Sequence, residues 1–222
     1  MPGVVLWERA VEPGQRRTRI LPDGCLDVIW DGRRLFVAGP DSTARWHEEE
    51  PVARYVGLRC SGGRGPALLG VPADEVRDRT PELSDLGDTR QIRALVERTA
   101  IDPAPSLEAW LVDRAGSWRL DPLGPRVLEW ADNGTSVSEM AEWVGLTTRQ
   151  LHRRCLAVFG YGARHLTRVL RLGRALEAAG ECRSLARTAA VSGYADQAHL
   201  CRDVRDLAGT TPALLLAELG LR

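Results

Sequence analysis

The chain has 222 residues, with 30 basic side chains, 30 acidic ones, 4 His and 5 Cys. That length suits one large or two small domains and buries roughly 70% of the unfolded surface, so no disulfide or metal staple is needed. There is no apolar stretch of about eighteen residues, no basic-then-apolar leader and no CxxC, which excludes a membrane span, a secretory signal and a disulfide or zinc framework, and makes a reducing cytoplasm the expected compartment.

All 30 cations are Arg, and they are unevenly placed. Residues 1–120 hold 17 Arg against 19 acids, residues 121–146 one against five, and residues 147–222 twelve against six, giving −2, −4 and +6. A surplus in the last third fits a surface for a polyanion; a solvated Arg-rich helical surface would look the same from charge alone.

The first part of the chain is β-like. Arg19-Ile20-Leu21 runs into the turn signal Pro22-Asp23-Gly24. Residues 26–30 read as a strand, Asp31-Gly32 as a hairpin turn, and residues 34–38 as the return strand. Glu48-Glu49-Glu50-Pro51 should be an exposed tip, because adjacent carboxylates repel, and residues 55–59 read as a further strand. Helical spacing follows. Residues 89–100 align Ile92, Leu95 and Val96 with Thr99, and residues 105–115 align Leu107, Trp110 and Leu111. These two faces fit either packing on the front domain or a two-fold dimer contact. The breaker cluster Asp121-Pro122-Leu123-Gly124-Pro125 marks a domain boundary, and an all-helical tail follows it.

The tail carries a repeat. Ser136 and Glu139 form a capping box for a short helix over 137–144, and a second helix runs over 147–159. Met140-Ala141, Gly145-Leu146 and Leu151 have helix-turn-helix spacing: a small residue where the helices cross, a glycine in the turn, and apolar residues inside. The pattern recurs 48 residues on. Leu185, Thr188, Ala189 and Gly193 answer Val137, Met140, Ala141 and Gly145, and Leu200, Arg202 and Val204 answer Leu151, Arg153 and Cys155. Between the copies, residues 163–179 read as one helix of about 25 Å. That length suits two recognition helices on one face of DNA, in successive major grooves about 34 Å apart.

Residues 125–219 resemble the AraC/XylS transcription regulators, most densely in residues 193–205 and in Ala208-Gly209-Thr210-Thr211-Pro212. The sequence departs from that family at Gly162-Ala163, Leu166, Cys155 and Val204. The resemblance implies a seven-helix DNA-binding domain with two helix-turn-helix motifs, double-stranded DNA as partner, a contact with RNA polymerase, a homodimer, and no membrane. Exposed positions at the start and middle of the recognition helices are Thr148, Arg149, Gln150, His152 and Arg153 in the first copy, and Gln197, Ala198, Cys201, Arg202 and Arg205 in the second. By analogy, base reading falls to Arg149, His152, Arg153, Gln197 and Arg202, and phosphate contact to Gln150 and Arg205. Arg153 and Arg202 would otherwise serve as salt-bridge partners inside the domain.

The front resembles, in shortened form, the cupin-like sensor domains that precede such tails, through residues 21–30 and Ala38-Gly39-Pro40. The expected architecture is α+β: a β-rich domain over 1–86, a helical linker and dimerisation segment over 87–120, and the DNA-binding domain over 121–222. Residues 1–120 contain a single His, His47, where a cupin metal site needs two or three, so no metal, no cofactor and no enzymatic activity are expected. Trp7, Trp30 and Trp46 are candidates to line a pocket for a small-molecule effector, or else to fill a small barrel. Ser61-Gly62-Gly63-Arg64-Gly65-Pro66 reads as an anion nest or a plain loop. Asp23, Asp27 and Asp31 read as turn chemistry, and Cys25 and Cys60 as buried thiols. The alternative function is a Cys-based redox or alkylation sensor, or a repair protein, with an AraC-like tail.

Overall fold

The computed structural model describes residues 3–11, 17–48, 54–182 and 184–221. Six strands come first: β1 (Val4–Ala10), β2 (Arg17–Ile20), β3 (Leu26–Trp30), β4 (Leu35–Ala38), β5 (Arg45–Glu48) and β6 (Arg54–Cys60). They form an antiparallel sheet of order β1-β6-β3-β4 and a smaller pair, β2-β5. The hairpin signal at Asp31-Gly32 is real: β3 pairs with β4 from Asp27↔Ala38 to Trp30↔Leu35. Asp31 Oδ1 accepts from the backbone N–H groups of Arg33 and Arg34, both at 2.9 Å. Of the acidic tip, Glu48 is exposed at the end of β5, and the rest lies outside the described residues.

Strand alternation sends successive side chains to opposite faces, and both faces of the larger sheet are used. Leu26, Val28, Trp30, Leu35, Val37, Val56 and Leu58 are buried in one apolar cluster. Helices close that face: α1 (Arg64–Leu69), α2 (Ala73–Val76), α3 (Thr89–Ile101) and α4 (Pro103–Ala115). Ile92, Leu95, Leu107 and Leu111 belong to the same cluster, with Val96 and Trp110 packed against it. The predicted faces of 89–100 and 105–115 are therefore part of the front core, while Ile101 and Val112 of the same helices stay exposed. Within the segment 87–120, α3 and α4 pack on the sheet of the β domain.

The tail is α5 (Leu123–Asp132), α6 (Val137–Trp143), α7 (Thr148–Phe159), α8 (Ala163–Ala179), α9 (Leu185–Val191), α10 (Gln197–Ala208) and α11 (Pro212–Glu218). Their buried residues form a second apolar cluster, with Met140, Leu151, Leu166, Leu172, Leu200, Leu207 and Leu215 at 2% exposure or less. Ser136 and Glu139 cap α6 as the spacing predicts. Gly145 and Gly193 have φ of 65° and 79°, the left-handed turn that other residues rarely adopt.

The halves also touch. Arg77 Nη1 donates to the Gly160 carbonyl at 2.9 Å, His165 Nε2 to the Ser42 carbonyl at 2.9 Å, and the Ala44 N–H to the Leu207 carbonyl at 2.6 Å. Arg19 donates from Nη1 to the Ala208 carbonyl at 2.7 Å and grips Glu218 with Nε and Nη2. Among the described residues no helix is long and apolar enough to cross a membrane.

Candidate functional site

The two repeated helices bury one face and expose the other. In α7, Leu151, Cys155 and Phe159 point inward; in α10, Leu200, Val204 and Leu207 do the same. The 3.6-residue period then turns Thr148, Arg149, His152 and Arg153 outward from α7, and Gln197, Ala198, Arg202 and Arg205 outward from α10. All eight are exposed, and Cys201 is half-buried. Among the described residues, Arg149, Arg153, Arg202 and Arg205 make no ion pair or side-chain hydrogen bond. Arg153 and Arg202 are thus not the intradomain salt-bridge partners that the sequence also allowed.

Gln150 has a different task. Its Oε1 accepts from the Thr147 N–H at 2.8 Å and from the Thr147 hydroxyl at 2.9 Å, while Thr147 Oγ1 accepts from the Gln150 N–H. This is a capping box that closes the first turn of α7. The cap engages Oε1, while the Nε2 donors of this exposed side chain have no partner among the described residues. On α10 the cap is Asp196, whose Oδ1 accepts from the His199 N–H at 2.6 Å.

A charged network fixes α10 to α8, and sequence reasoning missed it. Asp203 is 5% exposed. Arg168 Nε donates to its Oδ1 at 2.9 Å and Arg171 Nη2 to its Oδ2 at 2.8 Å. Arg168 also reaches Asp206 at 2.8 Å, and Arg171 lies over the Tyr194 ring, 4.5 Å from its centroid. The available signal was an acid on the inward side of an otherwise apolar helix face, since a buried charge needs partners.

The second site is a cavity of about 330 Å³ in the front domain. Its walls are the second face of the larger sheet and the inner face of β2-β5, with Trp7, Asp27, Ile29 and Phe36 on one side and Ile20 and His47 on the other. Of the three tryptophans expected in a pocket, only Trp7 lines this one. Trp30 has the parity of Val28 and belongs to the core, 5% exposed. Trp46 alternates with the cavity-lining Arg45 and His47, so it faces outward, stacked by Arg17 and Arg19 at 4.2 and 4.3 Å. Both corrections follow from the two-residue period of a strand.

Trp7 lies across β6 opposite Gly57, where a side chain would meet the indole at 2.6 Å. From there its Nε1 donates to Asp27 Oδ1 at 2.8 Å. Asp27 is therefore a cavity carboxylate and not turn chemistry. Burial pushes its pKa up to about 6, against the opposing hydrogen bond from Trp7. Asp23 does act in its turn, with Oδ1 accepting from the Cys25 N–H at 2.9 Å, and it pairs with Arg59. Asp41 is held by Arg45 Nε at 2.9 and 3.0 Å.

The thiols are poor nucleophiles. Burial, with Asp27 nearby, pushes Cys25 and Cys60 both up to about 12, so the reactive thiolate is scarce at neutral pH. Cys25 is half-buried and lines the cavity, whereas Cys60 is buried. The Gly-rich segment at 61–66 is a packing joint: a side chain at Gly63 would meet Val158 of α7 at 2.4 Å.

Residues 140–217 match the family model described as a helix-turn-helix domain, and residues 4–82 match a domain of unknown function, DUF6597. No curated protein matches the chain. Among solved structures, an apo variant of ToxT from Vibrio cholerae strain SCE256 is 10% identical, with 99% of this chain and 98% of that chain covered at a TM-score of 0.48. Fatty-acid-bound wild-type ToxT from the same strain is 8% identical, with 97% and 95% covered at 0.49. The C-terminal region of this chain carries a helix-turn-helix domain over residues 140–217, behind an N-terminal β-sheet domain of unknown function.

Proposed function

We propose that this protein is a sequence-specific DNA-binding transcription regulator, with α7 and α10 entering successive major grooves of one duplex. The observation that carries this reading is the pair of repeated helices whose outward guanidiniums (Arg149, Arg153, Arg202 and Arg205) are unpaired among the described residues. Arg149, Arg153 and Arg202 have the fork geometry that grips guanine O6 and N7, and Gln197 has the amide that grips adenine. His152 completes the base-reading set, Thr148, Ala198 and Cys201 line the groove wall, and Arg205 holds phosphate. One copy presents both rods, so two-groove binding needs no second copy. Ile92, Leu95, Leu107 and Leu111, on the apolar faces weighed for a dimer, are packed in the front core.

In this reading the front domain senses. The cavity is near the small end of the range for ligand sites, about 300–1,000 Å³. Its wall is also the joint: Asp41 and Arg45 line the cavity, while Ser42 and Ala44 hydrogen-bond the tail. A small effector in the cavity would thereby bias how the tail is held, and with it the contact with RNA polymerase.

The test is selection of genomic fragments by the purified full chain, followed by sequencing. Enrichment of one bipartite motif, with half-sites about one helical turn apart, is the expected result. Fragments with no shared motif would overturn sequence-specific binding. Light scattering on the selected duplex should give one chain per duplex.

A further inference from the structure

Between the two rods lies a cleft of about 1000 Å³, bounded by His152 of α7 on one side and Arg202 of α10 on the other. Its floor is α8, which contributes Arg164, Arg168 and Arg171. Four guanidiniums face two carboxylates there, Asp203 and Asp206, so the cleft is net positive. The carboxylates are not shared evenly. Arg168 and Arg171 are engaged by Asp203, and Arg168 also by Asp206. Arg164 is exposed and, among the described residues, has no ion pair or hydrogen bond from its side chain. It stands in the first turn of α8, two residues beyond Gly162, where the nearest side chain is the His152 ring.

We infer that Arg164 is a third DNA contact, made to the phosphates of the backbone stretch that joins the two major grooves. This rests on the proposed DNA reading and deepens it. A duplex engaged by both α7 and α10 must pass a sugar-phosphate strand across the cleft between them, and such a strand offers closely spaced anions but no base edges. A free guanidinium on the floor matches that chemistry. Arg168 and Arg171 contribute little charge to the strand, because their own carboxylates already neutralise them.

The experiment compares the full-length wild type, Arg164→Gln and Arg164→Lys on a random duplex of about three helical turns, titrated at several salt concentrations. For Arg164→Gln, the slope of log K against log salt should shrink by about 0.9, one phosphate's worth of released counterion. Arg164→Lys should keep the wild-type slope. On the selected duplex, Arg164→Gln should lose the same factor as on random DNA. Replacing the central phosphates of that duplex by uncharged methylphosphonates should weaken the wild type and leave Arg164→Gln unmoved. An unchanged salt slope in Arg164→Gln, or equal weakening of both proteins by the methylphosphonates, overturns this contact while leaving two-groove binding intact. A wild type that binds neither duplex overturns both. Arg164→Gln alters only an exposed side chain, and a matching circular dichroism spectrum checks that it folds.

Discussion

The two helix-turn-helix copies share a sequence pattern but are fastened differently. In the first copy, α7 sits against the front domain: the Gly-rich segment abuts Val158, and Arg77 holds the carbonyl at the helix end. Trp130 and Trp143 meet edge to face, 5.1 Å between centroids, behind α6. In the second copy, α10 is held to α8 by a buried carboxylate between two guanidiniums, and to the front domain by hydrogen bonds. Packing tolerates small slips, whereas a buried ion network has one good geometry. Such networks add little net stability, and what they supply is a fixed orientation. The second rod is therefore aimed by charge and the first by shape.

The largest effect should come from the aligned pair Asp203 and Arg154, which occupy the same position in the two copies. Asp203→Ala leaves Arg171 without a carboxylate and Arg168 with Asp206 alone, and should cost about 3 kcal/mol in urea unfolding. Arg154→Ala breaks only a half-exposed bridge to Asp121, 2.6 Å long, and should cost about 1 kcal/mol or less. Similar losses in the two variants would end the distinction between the copies.

A second contrast sets Asp203 against a half-buried carboxylate of the front cavity, Asp27. Asp203 has two guanidiniums, whereas Asp27 has one indole N–H, with Arg59 at 3.9 Å. The folded-state pKa of Asp27 is about 6, above the ordinary 3.8. Between those values the native state binds more protons than the unfolded one, so Asp27's contribution to stability falls as pH rises from about 4 to about 6 and is then flat. The span is on the order of 3 kcal/mol. Asp27→Asn should remove this slope in chemical unfolding followed across that window. A slope that survives the substitution would place the titrating group elsewhere.

Base reading sharpens the comparison further. Arg153→Ala and Arg202→Ala should each lose about 1–3 kcal/mol on the selected duplex and relax discrimination at one base pair, in different half-sites. Equal losses on selected and random DNA would assign either residue to phosphate. The smallest effect belongs to what the copies share. Gly145→Ala and Gly193→Ala each place a side chain at positive φ with nothing crowding it, and should each cost about 1–2 kcal/mol. Thermal unfolding should show the two costs close to one another; a large disparity would mean that the turns are not equivalent.

Much of this was legible because it is local. Capping at Ser136 and Glu139, the turns at Gly145 and Gly193, the hairpin at Asp31-Gly32 and the outward positions of the rods all depend on residues within a few places of one another. Even the misplacement of Trp30 and Trp46 was correctable from strand parity. Other features were not legible. The part Asp203 plays depends on Arg168 and Arg171, more than thirty residues away in sequence. The environment of Asp27 depends on Trp7, twenty residues away.

By itself, the order of residues determined the class of the molecule: a β-rich front, then a helical tail with two copies of a helical motif joined by one long helix. Periodicity and turn chemistry act over a few residues, so they can be read along a line. Only tertiary structure decided which faces were still available once the chain had packed. It closed α3 and α4 over the sheet, opened a cavity beside Asp27, and left Arg164 free while Arg168 and Arg171 were engaged. Burial and ion pairing are properties of neighbours in space, and those neighbours exist only in the folded chain.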